Sequence, residues 1–175
     1  MREQWTALTD EQLLAQCEVD TYRASGPGGQ KRNKTSSAVR LRHKPSSLLV
    51  IAEESRSQHE NKAKALRRLR RALYLQLRCE LTPEQLQPEK LQTAPELAAA
   101  RDPQGRLYVS ARDPRFWPAV AVVLDVLLAT QGRLSEAAAL LGTSTANLGD
   151  FLQSDDKVHE QVNRLRGAFG HKPLR

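Results

Sequence analysis

The sequence has few cysteines, few aromatic residues and no long apolar run. Its two cysteines, Cys17 and Cys79, form no metal-binding motif and are too few for a disulfide framework. No apolar stretch approaches the ~18 residues that span a bilayer. The N-terminus has neither the apolar segment of a signal peptide nor the arginine-rich pattern of a transit peptide. We therefore expect a globular cytoplasmic chain with free thiols, no metal or other cofactor, and no membrane partner.

Positive charge is concentrated in one part of the chain. The formal net charge is +7, but residues 21–78 carry fifteen basic and three acidic residues, a net charge of +12. Residues 1–20 carry −4, residues 79–163 carry −5 and residues 164–175 carry +4. A merely solvated surface normally mixes the two signs, so this cationic block indicates a nucleic-acid-binding surface.

The cationic block contains a glycine-rich segment. Gly26, Gly28 and Gly29, three of the nine glycines, lie within four positions around Pro27. Glycine permits positive φ and a close approach of the backbone to another molecule, while proline stiffens the chain. Four cations flank the segment: Arg23, Lys31, Arg32 and Lys34. The pattern predicts a loop that offers its backbone to a polyanion.

Several short motifs follow one another in order across residues 17–78. They are Ser25-Gly26-Pro27-Gly28-Gly29-Gln30, Asn33-Lys34-Thr35, Ser37-Ala38-Val39-Arg40, and Arg56-Ser57-Gln58-His59 with Asn61-Lys62. Together they resemble the catalytic (GGQ) domain of class I peptide chain release factors, and of the codon-independent relatives that rescue stalled ribosomes. One departure is the turn at 44–47, where the family usually has a glycine and this chain has none.

The resemblance implies a catalytic role for Gly28, Gly29 and Gln30. In the family this loop enters the peptidyl-transferase centre of the large ribosomal subunit. There the glutamine backbone N–H stabilises the reaction, and the glutamine side chain excludes nucleophiles other than water. Ribosomal RNA and peptidyl-tRNA complete the site. The glutamine is often N-methylated in the family, so Gln30 is a candidate substrate for a glutamine methyltransferase.

The residues around the loop favour catalysis by positioning. Hydrolysis of a peptidyl-tRNA ester needs an oriented water and a stabilised developing charge. No His, Asp or Glu stands near Gln30 in the sequence, and the four histidines show no triad arrangement. Only about 20 residues precede the motif, which leaves no room for a domain that reads a stop codon. We therefore expect codon-independent release on stalled ribosomes.

Residues 1–80 are predicted to form the GGQ domain, an α+β unit with a small antiparallel sheet and a packed helix. A capping box at Thr9 predicts a helix from Asp10 to about Gln16. Alternation of apolar and polar residues predicts strands at Cys17–Arg23 and Ser37–His43. The continuous apolar run at Leu48–Ala52 predicts a third, buried strand.

A cationic helix is predicted from Ser57 onward. One face is an apolar stripe at helical spacing: Leu66, Leu69, Leu73 and Leu77. The other faces are predicted to turn seven cations outward: Lys62, Lys64, Arg67, Arg68, Arg70, Arg71 and Arg78. The candidate RNA contacts are the basic and polar residues of the loop, the second strand and the helix: Arg23, Lys31, Arg32, Asn33, Lys34, Arg40, Arg42, Arg56, Gln58, His59, Lys62, Lys64, Arg67, Arg68 and Arg71.

The remaining chain is predicted to be mainly helical. Residues 81–114 are interpreted as a linker, with a helix start at Thr82–Gln85, a helical stretch at Ala94–Arg101 and a candidate strand at Leu107–Val109. Residues 115–175 are interpreted as a helical domain with a basic end. Its predicted helices are Ala119–Thr130, Leu134–Leu141, Thr145–Gln153 and Lys157–Phe169, and glycines at 132 and 142 separate the first three.

Three functions stay open on the sequence alone. The favoured one is a ribosome-dependent peptidyl-tRNA hydrolase, with the ribosome and peptidyl-tRNA as partners. The second is a non-catalytic binder of ribosomal or transfer RNA. The third is a DNA-binding regulator, because residues 134–153 have helix-turn-helix spacing with Asn147 and Gln153 as base readers. Asp150, Asp155 and Asp156 would repel DNA phosphates, which favours a docking or spacer role for this segment.

Overall fold

The computed structural model describes residues 2–23 and 37–174, and the chain divides into two compact units, Met1–Leu73 and Tyr74–Arg175. The described part is α+β, as predicted, with a three-stranded antiparallel sheet and helices. Its elements are α1 (Arg2–Thr6), α2 (Asp10–Ala15), β1 (Cys17–Tyr22), β2 (Ala38–His43), β3 (Leu49–Ala52), α3 (Gln58–Gln76), α4 (Pro88–Gln92), α5 (Pro95–Ala99), α6 (Phe116–Ala129), α7 (Leu134–Leu140), α8 (Thr145–Gln153) and α9 (Asp156–Ala168).

The first unit is built on the sheet, whose strand order is β1-β2-β3. Val39 and Leu41 of the central strand are fully buried, while the residues between them and after them along β2, Arg40 and Arg42, are exposed. The sheet therefore has one covered and one open face, as period-two alternation requires. The predicted strands β1 and β2 are confirmed, and so is the capping box at Thr9, whose hydroxyl accepts the N–H of Gln12 at 3.2 Å.

The third strand is not the buried strand that the run Leu48–Ala52 predicted. Leu49 is 43% exposed and Ile51 is 38% exposed, and within β3 only Ala52 is buried. The reason is position: β3 lies at the edge of the sheet, and alternate side chains of an edge strand face the open side. Because apolar residues occupy both faces of β3, the sequence showed no alternation.

Helix α3 carries the predicted leucine stripe. Leu66, Leu69 and Leu73 are buried, whereas Leu77 lies beyond the end of the helix. Two side-chain contacts hold α3 against the sheet: Asn61 donates to the carbonyl of Ser37, and Arg68 donates to the carbonyl of Ile51. The helix therefore covers one sheet face with leucines and reaches the strand ends with polar groups.

His43 is part of the core of the first unit. Its side chain is fully buried and meets the ring of Trp5 edge-on, with ring centroids 5.2 Å apart. Because Gln16 Oε1 is an acceptor, His43 Nε2 donates to it at 3.1 Å, and His43 Nδ1 accepts the Ser46 hydroxyl at 2.7 Å. This is a satisfied neutral imidazole, and burial lowers the pKa of His43.

The second unit has one contiguous apolar core around α6. Phe116, Val120, Leu124 and Leu127 of this helix are fully buried. The segment interpreted as a linker contributes to the same core: Leu91, Leu97, Ala100 and Leu107. The division into compact units thus falls at Leu73, and residues 81–114 pack within the second unit.

The local signals of the second unit give a mixed outcome. α5, α7, α8 and α9 are confirmed to within two residues at each end, and α6 begins at Phe116, three residues before its predicted start. Gly142 directly follows the C-cap of α7 with a φ of 64°, which favours glycine. After α6, Gln131 and Gly132 both have positive φ, 53° and 77°. The capping box at Thr82 forms only a turn. Leu107–Val109 is not a regular strand, since only Leu107 makes an isolated bridge, to Arg101.

Arg78 does not point outward as predicted. Its Nη1 lies 2.9 Å from Asp125 Oδ1, and the side chains of the two residues are 15% and 2% exposed. Arg78 also donates to the carbonyls of Ala121 and Tyr74, and the backbone N–H of Cys79 donates to Asp125 at 3.1 Å. The pair therefore fixes the start of the second unit onto α6. The helical spacing from Ser57 predicts, by contrast, that Arg78 faces solvent.

Candidate catalytic segment and RNA interface

The proposed catalytic segment is carried by the hairpin of β1 and β2. Tyr22, the last residue of β1, is paired with Ala38, the first residue of β2, so the two ends of the intervening segment lie side by side. Tyr22 donates its hydroxyl to Glu53 Oε2 at 3.3 Å, and burial, followed by this carboxylate, raises the pKa of Tyr22. Gly28, Gly29, Gln30, Lys31, Arg32, Asn33 and Lys34 lie outside the described residues.

Asn61 braces the point where the chain enters β2. The side chain is fully buried; its Nδ2 donates to the carbonyls of Ser37 at 2.6 Å and Ser55 at 2.8 Å, and its Oδ1 accepts the Ser55 N–H at 3.0 Å. One amide thus joins the hairpin, the β3–α3 connection and the first turn of α3. This role was missed, although Asn61 shares the spacing of the buried positions Ala65, Leu69 and Leu73.

The two candidate RNA contacts on β2 belong to ion pairs on the open sheet face. Arg40 donates through Nε and Nη2 to Asp20 Oδ2, at 3.1 Å and 2.9 Å. Arg42 Nε lies 4.0 Å from Glu18 Oε2. Both pairs are the directly opposed residues of the β1–β2 ladder, and all four side chains are about half exposed. Water screens such pairs strongly, so phosphate can compete with either carboxylate.

The candidate contacts on α3 separate into groups with different surroundings. Lys64, Arg67 and Arg71 follow helical spacing along the side opposite the buried leucines. Arg68 borders the sheet and pairs with Glu54, and its side chain is 44% exposed. His59 and Lys62 line a shallow groove with Asp10 and Leu14 of α2, which faces another way. The candidate RNA interface on α3 therefore contains fewer cations than the sequence predicted.

The start of α3 presents further candidates close to the hairpin. Arg56, Gln58 and His59 are exposed, and so is Arg23 directly after β1. Asn61 ties this connection to Ser37 at the start of β2, so the motif at 56–62 and the strand that follows the glycine-rich segment form one neighbourhood. This juxtaposition places motifs separated by about twenty residues in the sequence on one end of the first unit.

The sequence of this region matches a known protein family. A family model described as RF-1 domain matches residues 12–115, which is more than half of the chain. The chain belongs to the RF-1 domain family. The match covers all three strands and α3, and it therefore includes the hairpin, Asn61 and the cationic side of α3. The resemblance to the catalytic domain of class I release factors is confirmed.

Individual relatives match the RF-1 region of the chain at high identity. Peptide chain release factor 1 of Gluconobacter oxydans is 56% identical over 63 residues, which are 36% of this chain and 18% of that protein. Peptide chain release factor 2 of Acidithiobacillus ferrooxidans is 57% identical over 60 residues, 34% of this chain and 16% of that protein. Peptide chain release factor 1 of Acetivibrio thermocellus is 44% identical over 94 residues, which are 51% of this chain and 26% of that protein. The chain thus spans between a sixth and about a quarter of these relatives.

The cationic block of the RF-1 region is partly neutralised in space. Three acidic residues among the first twenty form ion pairs with three arginines of the block: Asp20 with Arg40, Glu18 with Arg42, and Asp10 with Arg70. Arg70 also donates to the carbonyls of Thr6 and Leu8, so it has a structural role at the α1–α2 connection. Charge counted along the sequence therefore overstated the positive surface of the described residues, where the exposed cations are concentrated on α3 and just before it.

Residues 2–23 and 37–174 contain neither a metal-ligand cluster nor a helix suited to cross a membrane. No group of three or more His, Cys, Asp or Glu is placed there to hold a metal ion. Within the same residues, no helix combines the length and apolar character that a membrane crossing needs.

The helix-turn-helix element uses its candidate base readers internally. Asn147 Oδ1 accepts the N–H of Leu107 at 2.9 Å, and its Nδ2 donates to the Leu107 carbonyl at 3.1 Å. Gln153 donates back to the carbonyl of Gly149, and Asp155 caps α9 by accepting the N–H groups of Lys157 and Val158. These contacts leave α8 without the polar side chains that reading DNA base edges requires.

Proposed function

We propose that this chain releases nascent peptides on the ribosome by hydrolysing the ester between peptide and tRNA. The observation that carries the proposal is the RF-1 family match across residues 12–115, with Gly28-Gly29-Gln30 in the family's motif order. The relatives that match this region are named peptide chain release factors. In this proposal the ribosome and peptidyl-tRNA are the partners, and Gln30 is a candidate for methylation by a glutamine methyltransferase.

The proposed chemistry assigns different tasks to different residues. Gly28 and Gly29 allow the backbone to approach the ester, and the Gln30 backbone N–H donates to the developing negative charge. The Gln30 side chain selects water over other nucleophiles. The paired hairpin ends at Tyr22 and Ala38, braced by Asn61, support this proposal because a rigid base reduces the entropy lost when a loop is positioned.

The proposed RNA-binding surface follows the exposed cations of the first unit. Arg67 and Arg71 on α3, with the half-buried Lys64 beside them and Arg56 before the helix, contact phosphates of ribosomal RNA in this proposal. Arg40 and Arg42 join them by exchanging a screened carboxylate for a phosphate. Each phosphate contact that is removed should weaken binding in proportion and reduce its salt dependence by about one counterion.

The finer part of the proposal is independence of a stop codon. It follows the plan of the rescue factors that the motifs resemble, in which release occurs on stalled ribosomes. Its test compares release on ribosomes with an empty decoding site, with a sense codon and with a stop codon. We expect release on stalled complexes without a stop codon; activity that requires the stop codon would contradict this part and leave the hydrolase proposal intact.

The decisive experiment measures release of a radiolabelled peptide from ribosomes that carry peptidyl-tRNA. We expect Gly29→Ala and Gln30→Ala to lower the release rate by at least about tenfold, since a misplaced donor removes stabilisation of the developing charge. Both variants should still sediment with ribosomes. The matched control is Gln4→Ala, which removes an exposed glutamine of the same unit and should release at nearly the wild-type rate.

Two outcomes would overturn the hydrolase proposal. Release by Gln30→Ala and Gly29→Ala at the wild-type rate would remove the assigned residues from the reaction. A wild-type chain that binds ribosomes but releases no peptide would be the non-catalytic RNA-binding protein instead. A parallel reaction without ribosomes should show no hydrolysis, because the proposed site is completed only by RNA.

A further inference from the structure

The second unit contains a cleft with one wall inside the RF-1 match and the other, helix α8, beyond it. It has a volume of about 530 Å³ and lies between the extended segment at 106–110 and helix α8. Phe151, which is 4% exposed, contributes to its apolar lining, and Tyr108, which is 76% exposed, stands at its edge. α8 lies beyond residue 115, where the family match ends. A large exposed aromatic side chain beside a cleft is a common feature of binding sites.

The backbone of the extended segment presents an open edge to this cleft. Asn147 binds both the N–H and the carbonyl of Leu107, so its amide occupies the place of a neighbouring strand. The N–H of Tyr108 points the other way and donates to Ala100 at 3.0 Å. Val109 lies two residues after Leu107, so an extended backbone between them would turn its N–H and carbonyl to the same side as those of Leu107. Within residues 2–23 and 37–174, neither group of Val109 has a hydrogen-bond partner.

The charges of the cleft leave one carboxylate uncompensated. Arg106 pairs with Asp102 at 2.9 Å, and Arg115 pairs with Asp113 at 2.6 Å, which lowers the pKa of Asp113 to about 2. Asp150 lines the cleft, is exposed and has no ion-pair partner in the described part of the chain. Asp150 is therefore the carboxylate of the cleft that a basic side chain of a ligand can reach.

We propose that this cleft binds an extended, lysine- or arginine-bearing peptide segment of a partner protein. The peptide adds as a short strand along Val109, and its backbone satisfies the N–H and carbonyl left open there. An apolar side chain packs over Phe151 and Tyr108, and the basic side chain reaches Asp150. Peptide is favoured over RNA because the Asp150 carboxylate repels phosphate, while strand pairing needs an amide backbone.

The test titrates the ¹⁵N-labelled full chain with a blocked hexapeptide of threonines, in which one leucine and one lysine are placed two residues apart. We expect saturable changes in the amide resonances of Val109, Asp150 and Phe151, and slower hydrogen exchange at the Val109 N–H. Asp150→Asn should weaken binding roughly five- to tenfold, as loss of a charged hydrogen-bond partner does. The matched control, Asp156→Asn, removes an exposed acid that does not line the cleft and should bind normally.

Further variants separate strand pairing from charge and from folding. A peptide whose central amides are N-methylated should lose binding, and one with glutamate in place of lysine should bind at least about fivefold more weakly. Tyr108→Ala removes a side chain that is 76% exposed and should lower affinity about three- to tenfold while the spectrum stays folded. No saturable change at Val109, equal binding of the glutamate peptide, or tighter binding of a single-stranded RNA oligonucleotide in the same cleft would each overturn the proposal.

Discussion

Arg40 in the first unit and Arg78 in the second each hold an aspartate at 2.9 Å, and the two pairs differ in burial. The side chains of Arg40 and Asp20 are 47% and 54% exposed, whereas those of Arg78 and Asp125 are 15% and 2% exposed. An exposed pair is screened by water and can exchange partners. A buried pair cannot, because separating it leaves a charge in a poorly solvated place. Because of this difference in burial, Arg40 can exchange its aspartate for another anion such as phosphate, whereas Arg78 is a structural residue.

The arginines of this chain have two kinds of partner, carboxylates and backbone carbonyls. In the first unit the guanidinium groups of Arg40 and Arg42 meet carboxylates on an open sheet face. In both units other arginines donate to backbone carbonyls, as Arg166 does to Gly132 at 2.6 Å and Arg70 to Leu8 at 2.8 Å. A count of basic residues therefore estimates an RNA-binding surface only after the structural arginines are set aside.

The largest effect is expected from breaking the buried pair. Asp125→Ala should lower the free energy of unfolding of the second unit by about 3–5 kcal/mol, because Arg78 would remain buried without its carboxylate. Asp20→Ala in the exposed pair should cost only about 0.5 kcal/mol. Single-tryptophan variants allow each unit to be followed by fluorescence in denaturant, since Trp5 packs in the first unit and Trp117 in the second. Equal losses for the two substitutions would contradict the comparison.

A smaller loss is expected at Asn61. Asn61→Ala removes three hydrogen bonds and leaves polar groups of Ser37 and Ser55 without partners, which should cost about 2–3 kcal/mol in the first unit. Trp5 fluorescence in urea measures the change, with Gln58→Ala on the exposed side of the same helix as the control. A loss below about 0.5 kcal/mol would show that water replaces the amide without cost.

Acid should destabilise the first unit through His43. Because burial lowers the pKa of His43, the unfolded chain binds this proton more readily than the folded chain. Stability is therefore complete above the ordinary histidine pKa of ~6.5 and falls as the pH decreases below it. The measurement is the free energy of unfolding reported by Trp5 between pH 7.5 and 5.5. His43→Gln should reduce this slope, and a slope that stays at the wild-type value in this variant would refute the assignment.

The smallest effect is expected at Ser47. This residue follows the β2 strand in a turn with φ 59°, a left-handed conformation that favours glycine. The family usually has a glycine in this turn, and Ser47→Gly should stabilise the first unit by about 0.5 kcal/mol, the relief of strain less the entropy of glycine. Ser47→Val should destabilise it by about 1 kcal/mol. A destabilised glycine variant would mean that serine makes a compensating contact.

Local signals predicted much of the fold. The capping box at Thr9, the leucines of α3 and the glycines after α6 and α7 each act within a few residues, so sequence spacing contains the relevant physics. Leu48–Ala52 was misread because an apolar strand has the same composition at an edge as in a centre. Arg78 was misread because its partner, Asp125, is 47 residues away, and no local pattern encodes that contact.

The candidate site was predicted less evenly. The motif order from Ser25 to Lys62 identified the family, and the cationic helix was confirmed as a helix with exposed cations. The pairing of Asp20 with Arg40 required the β1–β2 register, which depends on strand contacts rather than on composition. Asn61 could have been found from its position on the buried face of α3, where a polar residue needs partners. The roles of Gly28, Gly29 and Gln30 stay predictions.

Arg68 has a consequence for the behaviour of many copies of this chain. The exposed edge of β3, with its apolar Leu49 and Ile51, is the type of strand that recruits a second strand and begins aggregation. Arg68 binds the Ile51 carbonyl and pairs with Glu54, so an incoming strand would have to displace a charged hydrogen bond. We therefore expect Arg68 to hinder strand pairing between copies, and its replacement to be visible as turbidity in concentrated solution.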